Sequence, residues 1–368
     1  MRWRCAGNRG GRATVASDSG FLRRARMELA YFSGAFRWTP RDVGGAGVIL
    51  RFERVRPPRR ARFQPLKSRE ITPQFLHRTI QALKRWNYDI VGIDEACRRA
   101  VTLPEKRRFA CLTFDGASKD LITHAYPVLA GHGVPFTVYL PTAFPDGVGE
   151  AWWLALEDVI ARESRIGLMI DGGERHFEVS SLSDKYQLFD FLYDWMRRLS
   201  PSDRSLAIND LGRRYAVDLA QLSRNMLLDW SDLAKLAADS NVSFGCATVN
   251  YPALSTLKDA DARREMAMGK AVAESALRRQ VSHFAFPFGD RDAFRRAHVL
   301  MAEEAGFASA VSTIPGIVGA QGRTNLYALP RIAWDGRQRS LRMMRVLLSG
   351  MMFAPVQPTR HTRELSIL

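Results

Sequence analysis

The sequence predicts an α/β fold in which parallel strands alternate with helices. The main observation is that short apolar runs of strand length alternate, along most of the chain, with longer segments of helical spacing. Length and composition agree, because 368 residues with 46% hydrophobic and 25% charged residues suit one large α/β domain with extensions, or two small domains. No apolar run approaches the roughly 18–20 residues that a membrane-spanning helix needs.

The alternation begins with a predicted strand at residues 47–55 and a helix at 73–86, whose apolar residues share one face. The next elements are a short strand and helix within 88–100, a buried strand at 109–115, a helix at 122–133 that a glycine closes, and a strand at 134–141. Each strand is followed by a helix, which favours parallel βα units over hairpins.

Residues 150–230 interrupt this rhythm as a predicted helical insertion. It contains a helix near Trp152, a hairpin at 165–179 with a Gly172-Gly173 turn, and further helices. The strand and helix alternation then returns in segments 242–248, 259–279, 283–289, 293–307, 308–313 and 329–335. The predicted domain spans 46–335, between a basic N-terminal extension at 1–45 and a basic C-terminal tail at 336–368.

Three segments contain the sequence motifs that indicate a functional site. Residues 109–120 read FACLTFDGASKD, residues 244–257 read FGCATVNYPALSTL, and residues 283–290 read HFAFPFGD. In their order and context these segments resemble the polysaccharide deacetylase family, the NodB-homology carbohydrate esterases that include chitooligosaccharide deacetylases. The resemblance implies a distorted (β/α)7 barrel, similar to a TIM barrel, with its site at the C-terminal ends of the strands.

The resemblance also implies an activity, the hydrolysis of acetyl groups on N-acetylated glycans by a divalent metal, zinc in the family. An aspartate and two histidines hold the metal, a second aspartate takes a proton from the bound water, and a late histidine protonates the leaving amine. Asp115 matches the candidate base, but Gly116, Ala247 and Tyr251 stand at the ligand positions, and no histidine matches the acid. The sequence therefore predicts that the metal is lost and makes the family activity doubtful.

Other motif positions keep residues that suit a carbohydrate substrate. Thr248 retains the hydroxyl of the second motif, and Trp152 is a candidate for stacking on a sugar ring. Trp152 and Trp153 are adjacent on a predicted helix and must point in different directions, so at least one is expected in the core. The third motif keeps the residues of its wall, Phe286, Pro287 and Phe288.

A rebuilt metal site would need other ligands. Four residues near the motifs are candidates, namely Asp120, His124, Cys246 and His283. Each has a simpler interpretation: an acid near a helix N-terminus, a helix residue, a core thiol and a half-exposed strand residue respectively. Asp115 also has a second interpretation, in which its carboxylate organises the turn before Gly116.

The net charge of +16 comes mainly from arginine in short runs. No recognised nucleic-acid motif accompanies these runs, so we interpret them as solvated surface or compositional bias, with an anionic membrane surface or glycan as alternatives. An amphipathic helix is predicted at 19–36, with Phe21, Leu22, Leu29 and Phe32 on its apolar stripe. We favour packing of this helix on the main domain over binding to a membrane.

Four scattered cysteines without a C-x-x-C pair, and an N-terminus without an apolar signal region, predict reduced thiols and a cytoplasmic location, with peripheral membrane association as an alternative. Three functions stay open. The chain is an active carbohydrate deacetylase with a non-standard site, an inactive glycan-binding or regulatory protein of the same fold, or a protein that binds polyanions or membrane surfaces through its basic ends.

Overall fold

The computed structural model describes residues 22, 24–40, 44–103 and 105–353. Parallel pairing dominates its strands. The strands of this described part are β1 (Gly47–Phe52), β2 (Arg54–Val55), β3 (Glu70–Ile71), β4 (Asp89–Val91), β5 (Phe109–Asp115), β6 (Phe136–Leu140), β7 (Arg165–Ile170), β8 (Gly173–Glu178), β9 (Val242–Cys246), β10 (His283–Ala285), β11 (Ser309–Val311) and β12 (Ile332–Ala333).

The central sheet has the order β11-β10-β9-β6-β5-β1-β12, and β4 pairs with β5 beside this path. All its strand pairs are parallel. A parallel bridge between Val311 and Leu329 connects β11 to the segment just before β12. The seven strands of the path thus curve into an irregular barrel, as predicted, and their carboxyl ends all lie at one end of it.

Helices follow most strands and cover the sheet. They are α1 (Pro73–Arg85), α2 (Ile93–Val101), α3 (Tyr126–His132), α4 (Trp152–Arg162), α5 (Leu182–Arg198), α6 (Pro201–Arg214), α7 (Leu219–Met226), α8 (Trp230–Ala237), α9 (Asp259–Leu277), α10 (Arg296–Glu304) and α11 (Leu341–Ser349). Short 3₁₀ turns lie at Ala35–Trp38, Pro65–Arg69, Leu254–Thr256 and Leu326–Ala328, and a π turn at Leu121–Ala125 precedes α3. None of the described helices has the length and apolar character to cross a membrane.

Two local predictions need correction. The predicted first strand is divided after Phe52, and its last residues form β2, which pairs with β3 instead of continuing the barrel. In the hairpin of the insertion, Ile170 pairs with Gly173, so the turn residues are Asp171 and Gly172. Both have positive φ angles, 52° and 78°, which is the geometry that a tight two-residue hairpin requires.

Strand β5 is buried along its whole length, because side chains on both of its faces enter a core. Phe109 and Cys111 belong to one apolar cluster, which includes the helices of the insertion. Ala110, Leu112 and Phe114 belong to a second cluster against the outer helices. This two-sided burial is typical of a parallel strand, and it fixes the position of Asp115 at the strand's end.

The N-terminal helix, residues 24–32, packs on the main domain through a face that differs from the predicted one. Met27 and Ala30 are 1% and 7% exposed. Leu22, which is also helical, is 60% exposed, and Leu29 and Phe32 are each 70% exposed, whereas Phe21 lies outside the described residues. The prediction that the apolar stripe packs inward is wrong, because the helix has a second apolar face and that face is the buried one.

Candidate functional site

A cavity of about 350 Å³ opens at the carboxyl ends of the barrel strands. It lies where β1 and β5 end, and the insertion closes its far side through residues of α4 and α5. Its walls differ in chemistry. We call Arg51, Asp115 and the underlying Arg331 the charged wall, and Trp153, Tyr251 and Phe288 the aromatic wall.

The charged wall joins three neighbouring strands. Asp115 ends β5, Arg51 lies on β1, and Arg331 immediately precedes β12. Arg331 donates from both terminal nitrogens to the two carboxylate oxygens of Asp115, at 2.7 and 2.8 Å. Arg51 Nε donates to Asp115 Oδ2 at 2.5 Å. The Asp115 carboxylate thus holds the strand ends together, and it is only 5% exposed.

Burial alone would raise the pKa of Asp115, but the charges and hydrogen bonds of Arg331 and Arg51 outweigh it and lower the pKa below its ordinary value. The carboxylate is therefore ionised at neutral pH. A carboxylate whose pKa is lowered and whose oxygens already accept three hydrogen bonds is a weak general base. The hydrogen bonds of the Asp115 carboxylate thus go to arginines of neighbouring strands and not to the turn before Gly116.

The second motif forms a compact turn after β9. Thr248 and Tyr251 have positive φ angles of 67° and 54°. The Thr248 hydroxyl accepts a hydrogen bond from the Tyr251 amide at 3.1 Å. From α9, the Glu265 carboxylate accepts hydrogen bonds from the amides of Val249 and Asn250 at 2.9 and 3.0 Å. These contacts hold the backbone of the turn and place the ring of Tyr251 in the cavity.

The aromatic wall is built from rings of three separate chain segments. The ring centroids of Tyr251 and Phe288 are 5.1 Å apart, and those of Trp153 and Tyr251 are 6.1 Å apart. The Arg197 guanidinium lies 4.9 Å from the centre of the Phe288 ring. Burial, followed by the nearby charge of Asp115, raises the pKa of Tyr251 to about 12, so its phenol stays protonated at neutral pH.

The residues at the family's ligand positions do not fit a divalent metal. Gly116 has no side chain, and Ala247 offers only a methyl group. Tyr251 would have to lose a proton whose pKa is about 12. Catalytic zinc needs about three protein ligands, and these positions supply none at neutral pH. No group of three or more His, Cys, Asp or Glu side chains suited to a metal occurs among the described residues.

None of the four candidate replacement ligands lines the cavity. Asp120 accepts hydrogen bonds from Arg54 and Ser118. His124 lies on the π turn at Leu121–Ala125. Cys246 is fully buried, and this burial raises the pKa of its thiol to about 12. His283 is 3% exposed, not half-exposed as predicted, because its ring is hydrogen-bonded to Ser309 and Asp94 at 2.9 Å each.

The structure brings only part of the predicted substrate site together. Asp115, Gly116, Tyr251 and Phe288 line the cavity. The other predicted contacts do not, namely Thr248, Phe286, Pro287 and Trp152.

These predicted contacts have structural roles instead. Thr248 is fully buried, and its hydroxyl holds the turn. Phe286 stacks on Phe294 with a centroid distance of 4.1 Å. Trp152 is 1% exposed and packs against Tyr193, so its neighbour Trp153 takes the position at the cavity. The expectation that one of the two tryptophans lies in the core is confirmed, but the assignment of Trp152 to the substrate is wrong.

Sequence reasoning missed several cavity residues. Arg51 and Arg331 are far from the first motif in sequence and reach Asp115 only through strand pairing. Arg69 and Arg197 also line or border the cavity, and Arg69 donates to the Tyr193 hydroxyl at 2.6 Å. In the sequence, Arg331 lies in the last predicted segment of the domain, 329–335, outside the three motifs. An arginine within an apolar strand segment is a sequence signal for a buried carboxylate partner.

A family model described as polysaccharide deacetylase matches residues 215–309, which include the second and third motifs. The fold resembles that of the Streptococcus pyogenes deacetylase PplD in complex with acetate, with a TM-score of 0.53, 16% identity, and coverage of 82% of this chain and 97% of that chain. It also resembles IcaB from Ammonifex degensii, with a TM-score of 0.51, 13% identity, and coverage of 82% and 98% respectively.

A third similar structure is BC0361, a polysaccharide deacetylase from Bacillus cereus, with a TM-score of 0.52, 12% identity, and coverage of 82% of this chain and 68% of that chain. No curated protein sequence matches the chain. The identities are low, so the structural matches establish the fold, and the family model adds the sequence relationship. The chain therefore has the fold of the solved polysaccharide deacetylases, and its residues 215–309 match the polysaccharide deacetylase family model.

Proposed function

We propose that this protein binds an N-acetylated glycan in the cavity and does not hydrolyse it by the metal-dependent reaction of the family. The proposal rests on the side chains that stand in this chain at the positions of the family's metal ligands. Where the family holds metal ligands, this chain has Gly116, the buried methyl of Ala247 and a protonated phenol at Tyr251.

The cavity itself suits a carbohydrate. Its volume of about 350 Å³ falls in the usual range for ligand sites, about 300–1,000 Å³. Trp153, Tyr251 and Phe288 offer ring faces and edges to the apolar side of a sugar. Arg69 and Arg197 supply hydrogen-bond donors, and Glu53 and Asp290 supply acceptors, for hydroxyl and acetamide groups.

The charged wall maintains the shape of the cavity and takes no part in proton transfer. Asp115 is held by Arg331 and Arg51, so its oxygens are satisfied before a ligand arrives. The nearby phenol of Tyr251 has a proton to donate, but a pKa of about 12 makes that proton unreactive at neutral pH. The arrangement therefore favours recognition over hydrolysis.

The test is calorimetric titration of the full chain with chitotetraose as the probe, together with an assay of acetate release. Wild-type protein is expected to bind the probe and release no acetate. Trp153→Ala is expected to bind about tenfold more weakly, because a stacking ring and its buried area are lost. The matched control is Trp38→Ala, since Trp38 is 84% exposed and does not line the cavity.

Two results would contradict the proposal. Acetate release at a steady rate would show that the site is catalytic. Equal affinities of Trp153→Ala and wild type would show that the aromatic wall does not bind the glycan. Zinc uptake gives a separate readout, measured by elemental analysis after exposure to zinc and desalting. We expect far less than one zinc ion per chain. One tightly bound ion per chain would mean that other ligands had rebuilt the site.

A further inference from the structure

Two basic segments near the ends of the chain, the N-terminal helix and α11, meet on one surface. Arg342 on α11 lies with its guanidinium 5.3 Å from the ring centre of Phe32 on the N-terminal helix, and 5.9 Å from that of Tyr31. Arg345 lies 5.0 Å from the ring centre of Phe36 in the following 3₁₀ turn, which packs on α11. Segments that are far apart in sequence thus form one continuous face, distant in sequence from the motifs of the cavity.

The two ends of the chain carry most of its positive charge, and the described part of this face belongs to them. Residues 1–45 contain nine arginines and three acidic residues, and residues 336–368 contain six arginines and one acidic residue. The two ends therefore carry +11 of the total net charge of +16. Within 22–40 and 336–353, Glu28 is the only acidic residue. Among the described residues, Arg24, Arg26 and Arg342 have no carboxylate partner.

The same face exposes large apolar side chains. Leu22, Leu29 and Phe32 are spaced by seven and three residues, which places them on one side of a helix. Their exposed fractions are 60%, 70% and 70%, and Trp38, in the adjoining 3₁₀ turn, is 84% exposed. The opposite side of the helix already packs on the domain through Met27 and Ala30. The exposed stripe is thus not the surface that attaches the helix to the protein.

We propose that this face, consisting of Leu22, Arg24, Arg26, Leu29, Phe32, Trp38 and Arg342, binds the surface of an anionic lipid bilayer. Apolar side chains flanked by cations match a layer that has anionic headgroups outside and hydrocarbon beneath. The aromatic rings suit the boundary between the two, because they combine an apolar body with a preference for the interface.

Other occupants fit the face less well. A nucleic acid backbone would pair with the arginines and leave the leucine and phenylalanine side chains unused. A second copy of the chain would bring two sets of arginines together with Glu28 as the only carboxylate in the described parts of these segments, which is electrostatically unfavourable. The bilayer alone uses both the charge and the apolar stripe.

The test is co-sedimentation of the full chain with vesicles of phosphatidylcholine alone and of phosphatidylcholine mixed with phosphatidylglycerol. Binding is expected only to the anionic vesicles. It should weaken when the salt concentration rises from about 0.1 M to about 1 M, because the screening length falls from about 10 Å to about 3 Å.

Variants separate the apolar and charged contributions. The double change Leu29→Gln and Phe32→Gln is expected to weaken partitioning at least about tenfold, since two apolar side chains no longer enter the bilayer. The matched control is Leu103→Gln with Leu206→Gln, because these leucines are 73% and 71% exposed and lie elsewhere. Arg24→Gln with Arg26→Gln should weaken binding and reduce its salt dependence.

Several outcomes would overturn the proposal. These are absence of binding to anionic vesicles, equal binding by the Leu29/Phe32 variant, and equal loss of binding in the Leu103/Leu206 control. Sedimentation velocity tests the other possible occupant of the face, a second copy of the chain. A dimer that the Leu29/Phe32 variant dissociates, without any vesicle binding by wild type, would assign the face to a second copy. Because both residues are exposed, circular dichroism and melting temperature should match wild type.

Discussion

The charged wall and the aromatic wall belong to the same cavity, but they differ in how far contacts within the protein satisfy their side chains. In the charged wall, Arg331 is fully buried and Asp115 nearly so, and the two satisfy each other within the protein. In the aromatic wall, Trp153 is partly exposed, and its ring lies at the cavity. The comparison indicates that the charged wall maintains the fold and that the aromatic wall is available to a ligand.

Breaking the charged wall should have the largest effect. Asp115→Ala leaves the buried guanidinium of Arg331 without its carboxylate, and loss of one partner of a buried pair typically costs about 3–5 kcal/mol. The free energy of unfolding from urea titration is the measurement. Asp158→Asn removes an exposed partner of Arg162 and should change stability little. Similar losses in the two variants would show that Arg331 finds other compensation.

Restoring the family's ligands would convert the aromatic wall into a metal site. The triple change Gly116→Asp, Ala247→His and Tyr251→His is expected to restore zinc binding, because Ala247 and Tyr251 belong to one cluster, in which the smaller imidazole frees volume, and a side chain at Gly116 meets open space. Zinc at a hundred times its dissociation constant should stabilise the variant by about 2.7 kcal/mol. The positive φ of 90° at Gly116 opposes this gain, although aspartate tolerates such a conformation better than most residues.

Thermal melts with and without zinc measure this effect, and wild type is the control. Zinc should leave wild type unchanged, since it offers no comparable set of ligands at these positions. A folded triple variant that takes up no zinc would show that the second motif has moved. The left-handed backbone at Thr248 and Tyr251 is where such a change would lie.

The charged wall also predicts how stability depends on pH. The arginines lower the pKa of Asp115 in the folded protein, so the carboxylate contributes its full stabilisation above the pKa of an unfolded aspartate, about 3.9. That contribution is lost as the pH falls from this value through the lower folded pKa, at about 1.4 kcal/mol for each unit of difference. Urea titrations between neutral and acidic pH should show this decline in wild type and a shallower one in Asp115→Ala.

The sequence predicts the strands and helices of the fold better than the contacts between residues at the cavity. The strand at 109–115 and the position of Asp115 at its end are confirmed, because a continuous apolar run bounded by glycine has few alternatives. The partners of Asp115 were not predicted. They come from β1 and from the start of β12, and only the order of strands in the sheet brings them together.

The sequence also does not determine which of two similar neighbouring residues faces the core. Trp152 and Trp153 have the same chemistry, and the register of α4 alone decides which of them faces the core. The N-terminal helix presents the same difficulty, since two of its faces are apolar and only packing selects Met27 and Ala30. The boundaries of the domain at 46 and 335 stay a prediction.

The smallest expected effect concerns the hydroxyl of Tyr251. Tyr251→Phe keeps the ring contacts with Phe288 and Trp153 and removes only a protonated phenol. Stability should change by about 1 kcal/mol or less, and affinity for chitotetraose by less than about tenfold. Because the pKa of this phenol is about 12, glycan binding should not vary between neutral pH and about pH 10 through this group. Calorimetry across that range measures both points. If Tyr251→Phe abolished binding altogether, the hydroxyl and not the ring face would be the recognition element, and the two walls would act as one polar site.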